Sequence, residues 1–133
     1  FTLGREHEHY APGSSAPVVL EWRGWRLRPL ICYDLRFPEW ARYTPQAPYD
    51  VLLYMANWPA PRAHHWQRLL PARAIENQCY LAAANRVGAD GGGMGHEGHS
   101  VALDFHGGVM ASLGPGTPGT ARACFRLEAL REY

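Results

Sequence analysis

The stretch Trp25-Arg26-Leu27-Arg28-Pro29-Leu30-Ile31-Cys32-Tyr33-Asp34-Leu35-Arg36-Phe37-Pro38-Glu39 places an apolar run, a cysteine and a helix start in immediate succession. Residues 25–31 have strand composition, and residues 37–43 read as a short helix with Pro38 in its first turn, where a missing N–H is harmless. Cys32 therefore falls at a strand-to-helix turn. A thiol there is exposed on one side, and the N–H groups that follow it can face a developing oxyanion. A helix N-terminus or a nearby cation would favour its thiolate. The bland alternative is a small buried hydrophobe.

Working outward, residues 17–22 form a second strand run, joined to 25–31 through Arg23-Gly24 as a tight hairpin. Residues 50–56 are a continuous apolar run, expected as a strand buried on both faces. Residues 57–61 carry two prolines and break the pattern. Residues 62–78 then show helical spacing, with Trp66, Leu69, Leu70 and Ala74 as the buried stripe. Pro71 should kink or split that helix. A further buried strand is expected at 79–87, a Gly-rich loop at 88–98, and short strands at 99–104, 109–113 and 120–127. Residues 128–133 begin a helix, and residues 1–15 read as a loop. Hairpins at both ends around a helical crossover predict a layered α/β fold with a mixed sheet.

The chain has 133 residues, a formal net charge of +1, and no apolar run of transmembrane length. Its basic residues are scattered and are all arginine, so neither a nucleic-acid nor a membrane partner is expected. Cys32, Cys79 and Cys124 are far apart, which fits free thiols in a reducing, cytoplasmic setting. His7 and His9 flank Glu8, and His96 lies near His99, but neither spacing is a zinc signature. No metal or cofactor is expected. Gly91-Gly92-Gly93 lacks the strand-before, helix-after setting of a phosphate loop.

Residues 32–40 (CYDLRFPEW) resemble the nucleophile motif of the nitrilase, or carbon–nitrogen hydrolase, superfamily. The likeness continues in order through residues 50–59 (DVLLYMANWP), His65-Trp66, residues 72–78 (ARAIENQ), residues 85–88 (NRVG) and residues 98–100 (GHS). Residues 5–10 and Asn57-Trp58-Pro59 most resemble the omega-amidase branch, which hydrolyses the terminal amide of small 2-oxo acid amides. The resemblance implies a four-layer α-β-β-α sandwich, of which this chain carries most of one sheet. It implies Cys32 as nucleophile and the Tyr33 N–H as an oxyanion donor. The family's general-base Glu and its Lys would lie before Phe1, so residues 1–133 are expected to be a partial domain, lacking that part and a C-terminal tail and inactive alone. A second family Glu, which positions substrate or supports the base, best matches Glu6, with Glu8 as fallback. The complete protein is expected to be a homodimer acting on a small amide without a cofactor. The competing reading is a non-catalytic binding or scaffold domain of the same fold.

Other candidates carry two readings each. Arg36 is a candidate fork for a substrate carboxylate, but it could instead pair internally with Glu39 or Glu76, the more ordinary outcome. Asp34 is expected to cap the helix after the elbow rather than do acid–base work. Asn57 and Trp58 follow a strand end, where α/β sheets form ligand sites, and are expected to line the pocket rather than only pack. Arg73 and Glu76 are one turn apart and form a candidate ion pair.

Overall fold

The computed structural model describes residues 8–11, 13 and 16–133. Strands β1 (Leu20–Trp22) and β2 (Trp25–Ile31) pair antiparallel about Arg23 and Gly24. Both turn residues have positive φ, 49° and 84°, as a two-residue hairpin of matching twist demands. Strand β1 begins at Leu20, later than expected. Helix α1 spans only Pro38–Ala41, and β3 spans Val51–Ala56. Helix α2 (Ala63–Asn77) leads to β4 (Tyr80–Asn85), the ribbon β5 (Val87–Ala89) and β6 (Gly95–Glu97), then β7 (Val101–Leu103), β8 (Val109–Ser112) and helix α3 (Leu127–Glu132). The main sheet runs β1-β2-β3-β4-β7-β8, with β2, β3 and β4 parallel and the other pairs antiparallel. This is the mixed α/β arrangement expected.

Register explains which face is buried. Leu52 lies between Arg28 and Leu81, and Leu81 is opposite Leu103; Leu30, Tyr54 and Ala83 form the next row. Side chains alternate across a strand, so these rows share one face. There they meet Trp66, Leu70 and Ala74 of α2 in the core, with Leu69 partly buried at its edge. Trp66 and Leu70 are wholly buried, and truncating either to alanine removes contacts of the kind that cost about 2–5 kcal/mol.

Described residues cover the opposite face at one end only. Tyr80 stacks on Phe125 at 4.5 Å, and its hydroxyl donates to the Arg126 carbonyl at 3.1 Å. At the other end Ile31 and Met55 are 65% and 46% exposed. Residues 50–56 are therefore not buried on both faces as expected, because no described element packs over Met55.

Three more expectations are corrected. Helix α2 runs through Pro71 unbroken. The carbonyl that Pro71 leaves without a donor belongs to exposed Gln67, where water can serve it. The Gly-rich segment is largely a two-stranded ribbon, in which Gly88 pairs with His96. Its turn is closed by the Asp90 carboxylate, which accepts from the Gly92 and Met94 N–H groups at 2.9 Å. Residues 120–126 form no strand; they find no sheet neighbour, and Phe125 anchors them by ring contacts instead.

Asp50 joins the first turns of three strands. Its carboxylate accepts from the Arg26 N–H at 2.8 Å and from the Arg26 guanidinium at 2.6 and 3.1 Å. Its own N–H donates to the Arg26 carbonyl, and its carbonyl accepts from Tyr80. Burial pushes the Asp50 pKa up, but the Arg26 hydrogen bonds and charge outweigh it and hold the carboxyl below its ordinary value. Asp50→Asn should therefore cost about 2 kcal/mol at pH 7, since the stranded Arg26 keeps access to water. The folded pKa is depressed, so the contribution is complete above the unfolded value of about 3.9 and is lost as pH falls through the folded one. Denaturant unfolding of both forms should show the gap at pH 7 and its narrowing below about pH 4. A gap that persists unchanged in acid would refute the assignment.

Candidate active site

Arg26 gives its carbonyl to β3, so alternate residues Pro29 and Ile31 direct their backbone groups toward β1. Strand β1 pairs only as far as Leu27, so no described strand pairs with that side of β2 at Pro29 and Ile31. Pro29 has no N–H to lose there. The Ile31 N–H is taken up by the Asp34 carboxylate at 2.9 Å. Asp34 thus caps the tight helical turn Cys32–Arg36 itself, not the helix that follows.

Cys32 opens that turn with φ of 41°, a conformation a β-carbon disfavours. Backbone strain of this kind persists only where the surroundings enforce it. They do so here from two sides. Leu35 is wholly buried in the core beneath the turn. The Leu35 carbonyl also accepts two hydrogen bonds, at 2.8 and 3.2 Å, from the buried Arg73 guanidinium on α2. Arg73 pairs with Glu76 at 3.1 Å as expected, but its hold on the elbow lies 38 residues away in sequence and was not anticipated.

The turn stands at the carboxyl ends of the parallel strands, where crevices form in α/β sheets. A cavity of about 720 Å³ opens there, lined by Cys32, Tyr33, Arg36, Met55, Asn57 and Trp58 among others. Five sequence candidates, Cys32, Tyr33, Arg36, Asn57 and Trp58, are therefore brought together. Glu6 lies outside the described residues. Glu8 is exposed and does not line the cavity, and no described lining residue is acidic.

Trp58 both packs and lines. It is 2% exposed, its ring lies 5.7 Å from that of Trp66, and its indole N–H donates to the Arg62 carbonyl at 2.7 Å. Asn85 at the end of β4 holds the Trp58 backbone from both sides. Its amide oxygen accepts from the Trp58 N–H at 2.7 Å, and its amide nitrogen donates to the carbonyls of Trp58 and Gly98 at 3.3 and 2.8 Å. Gly98 must be glycine: its φ is 74°, and a β-carbon would stand 2.8 Å from Val87. Asn85 and Gly98 belonged to motifs noted in the sequence, yet nothing local assigned them this task.

Arg36 does not pair with Glu39 or Glu76. Its guanidinium meets Nδ1 of His65 at 3.0 Å and lies over the rings of Trp58 and Tyr33, at 4.9 and 5.6 Å from their centroids. Glu76 is already engaged by Arg73. Arg62, which had not been singled out, lines the same cavity. The other thiols differ from Cys32: Cys79 is buried, and burial pushes its pKa up to about 12, while Cys124 is exposed away from the cavity. The described histidines His96 and His99 have other partners. His96 meets the Gly88 carbonyl, His99 meets Glu97, and no cluster of three metal-binding side chains occurs among the described residues.

The profile of the carbon–nitrogen hydrolase family matches residues 3–133. The chain belongs to that family. It is 53% identical over 133 residues to the omega-amidase YafV of Yersinia enterocolitica, covering all of this chain and 51% of the relative. It is 44% identical over 114 residues to the 2-oxoglutaramate amidase of Bacillus subtilis, covering 86% of this chain and 43% of the relative. A carbon–nitrogen hydrolase superfamily structure from Xanthomonas campestris, with an arsenic adduct in its active site, superposes with a TM-score of 0.88 at 40% identity, over 99% of this chain and 51% of that one. An amidase from Nesterenkonia sp. AN1, whose active-site cysteine carries acrylamide by Michael addition, superposes with a TM-score of 0.81 at 31% identity, over 99% of this chain and 52% of that one. The hydrolase fold expected from the elbow motif is thus the fold found. The chain spans about half the length of these relatives.

Proposed function

We propose that this chain is the thiol-bearing half of an amidase that cleaves the terminal amide of a small 2-oxo acid amide. The observation that carries the reading is Cys32, held at a strained elbow on a cavity whose described charged groups are guanidiniums and not carboxylates. The relatives named for omega-amides and for 2-oxoglutaramate support it. The Cys32 thiolate attacks the amide carbonyl, and the Tyr33 N–H donates to the oxyanion. Ammonia leaves with a proton, and water then hydrolyses the thioester. Asn57 and Trp58 wall the acyl chain, and Arg36 receives its far carboxylate. The general-base Glu and the Lys belong to the part of the longer protein before residue 1, and Glu6 supports the base. The complete enzyme is a homodimer. None of the three cysteines is disulfide-bonded, which suits a reducing cytoplasm. No helix among the described residues is long and apolar enough to cross a membrane.

Ammonia release by the complete protein tests this, with 2-oxoglutaramate compared with neutral butyramide. Arg36→Met should lower kcat/KM for the carboxylated amide by about tenfold to a hundredfold, the range of a lost charge-assisted hydrogen bond, and leave butyramide nearly unaffected. Equal losses on both substrates would reject Arg36 as the carboxylate fork. No release from either would reject the amidase reading.

A further inference from the structure

The partner that Arg36 has chosen is unusual. A guanidinium beside a ligand cavity is ordinarily fixed by a carboxylate, which orients it but also cancels its charge and competes with an anionic ligand. Here the fixing group is the Nδ1 atom of His65 at 3.0 Å. Guanidinium has no acceptor, so Nδ1 must accept, and His65 must be neutral with its proton on Nε2. A neutral imidazole holds the fork in place and leaves the positive charge whole for the ligand. The rings of Trp58 and Tyr33 complete the seat and add no counter-charge.

We propose that His65 is a positioning residue: its unprotonated Nδ1 aims Arg36 into the cavity, and the grip on a carboxylate fails when His65 takes up a proton. This rests on the reading of Arg36 as the substrate's carboxylate fork. Among the described residues, the charged and titratable groups that face His65 are Arg36 on the elbow, Arg62 in the turn before α2, and His64 on α2 itself, whose ring centroid is 4.0 Å away. All are basic. Partial burial, then the charges of His64, Arg36 and Arg62, push the His65 pKa below the ordinary imidazole value. The neutral state therefore holds at pH 7, and the loss falls on the acid side. A protonated His65 points N–H at N–H, so Arg36 must leave its seat. The extra positive charge does not compensate, because a bidentate fork depends on orientation.

The test is calorimetric titration of the complete protein with 2-oxoglutarate at pH 7.5 and pH 5, in a Cys32→Ala background. Affinity should fall about tenfold in acid with His65 in place, the scale of one charged hydrogen bond. His65→Asn, which keeps an acceptor near the Nδ1 position but does not titrate, should bind at pH 7.5 within about threefold of the parent and lose nothing in acid. His65→Leu should be weak at both pH values. A His65→Leu protein that binds like the parent, an acid loss that survives in His65→Asn, tighter binding in acid, or no binding at all would each overturn the proposal. The readout is binding, so it is independent of turnover. A protein that grips the anion in this pH-dependent way but releases no ammonia would overturn the amidase reading and leave this one standing.

Discussion

Cys32→Ala in the complete protein is expected to abolish ammonia release from 2-oxoglutaramate, with a fall of at least about 10⁴-fold in kcat. No other thiol can take over. Cys79 is buried, with its pKa pushed up to about 12, and Cys124 does not line the cavity. The fold should survive the change, because Leu35 and Arg73 hold the elbow from below and Cys32 is only partly buried at the margin of the core. Thermal unfolding should move by only a few degrees, corresponding to less than about 1 kcal/mol. Iodoacetamide should modify Cys32 faster than Cys79 or Cys124 in the unaltered protein. Residual turnover near the parent level would remove Cys32 from the mechanism altogether.

The 133-residue chain alone is expected to release no measurable ammonia and to self-associate. The sequence contains no lysine, and on the proposed reading the family's Lys and general-base Glu belong to the rest of the longer protein, so the short chain lacks two groups that family chemistry requires. Groups that act as a unit fail together, so the nucleophile deprived of these two retains little of the rate. The sheet supplies the second half of the expectation. Ile31 and Met55 at the elbow end, and Leu20 and Trp22 on β1, are all exposed. Burial of such surface is worth roughly 25 cal/mol per Å², and exposed apolar sheet surface seeks a cover. The short chain and the complete protein should be compared by ammonia release, light scattering and thermal unfolding. Robust turnover by a monomeric short chain would mean that residues within it, such as Glu6 or Glu8 with an arginine, replace the missing pair.

Much of the scaffold was legible because it is local. Arg23-Gly24 announced a hairpin through turn chemistry, and the spacing of Trp66, Leu70 and Ala74 announced the buried face of α2. Both depend on near neighbours and a fixed period. Local reasoning failed where the deciding partner was distant or absent. Residues 120–126 have strand composition but no neighbour to pair with, and the Gly-rich segment became a ribbon because Asp90 closes its turn. The apolar run at β3 promised cover on both faces, but periodicity cannot say what lies over Met55.

The sequence by itself determined the residue types of the site and the strand–cysteine–helix order that puts a thiol at a strand end. It also determined the family, because that motif order is linear. Only the tertiary structure decided which groups hold those residues in place. Arg73 reaches the Leu35 carbonyl, Asn85 clasps Trp58, and Arg36 turns from the nearby carboxylates to His65. These partners lie 38, 27 and 29 residues apart, and they meet because parallel strands return the chain to the same sheet end after each helix. A hydrogen bond needs about 3 Å and a direction, and only the packed fold supplies both.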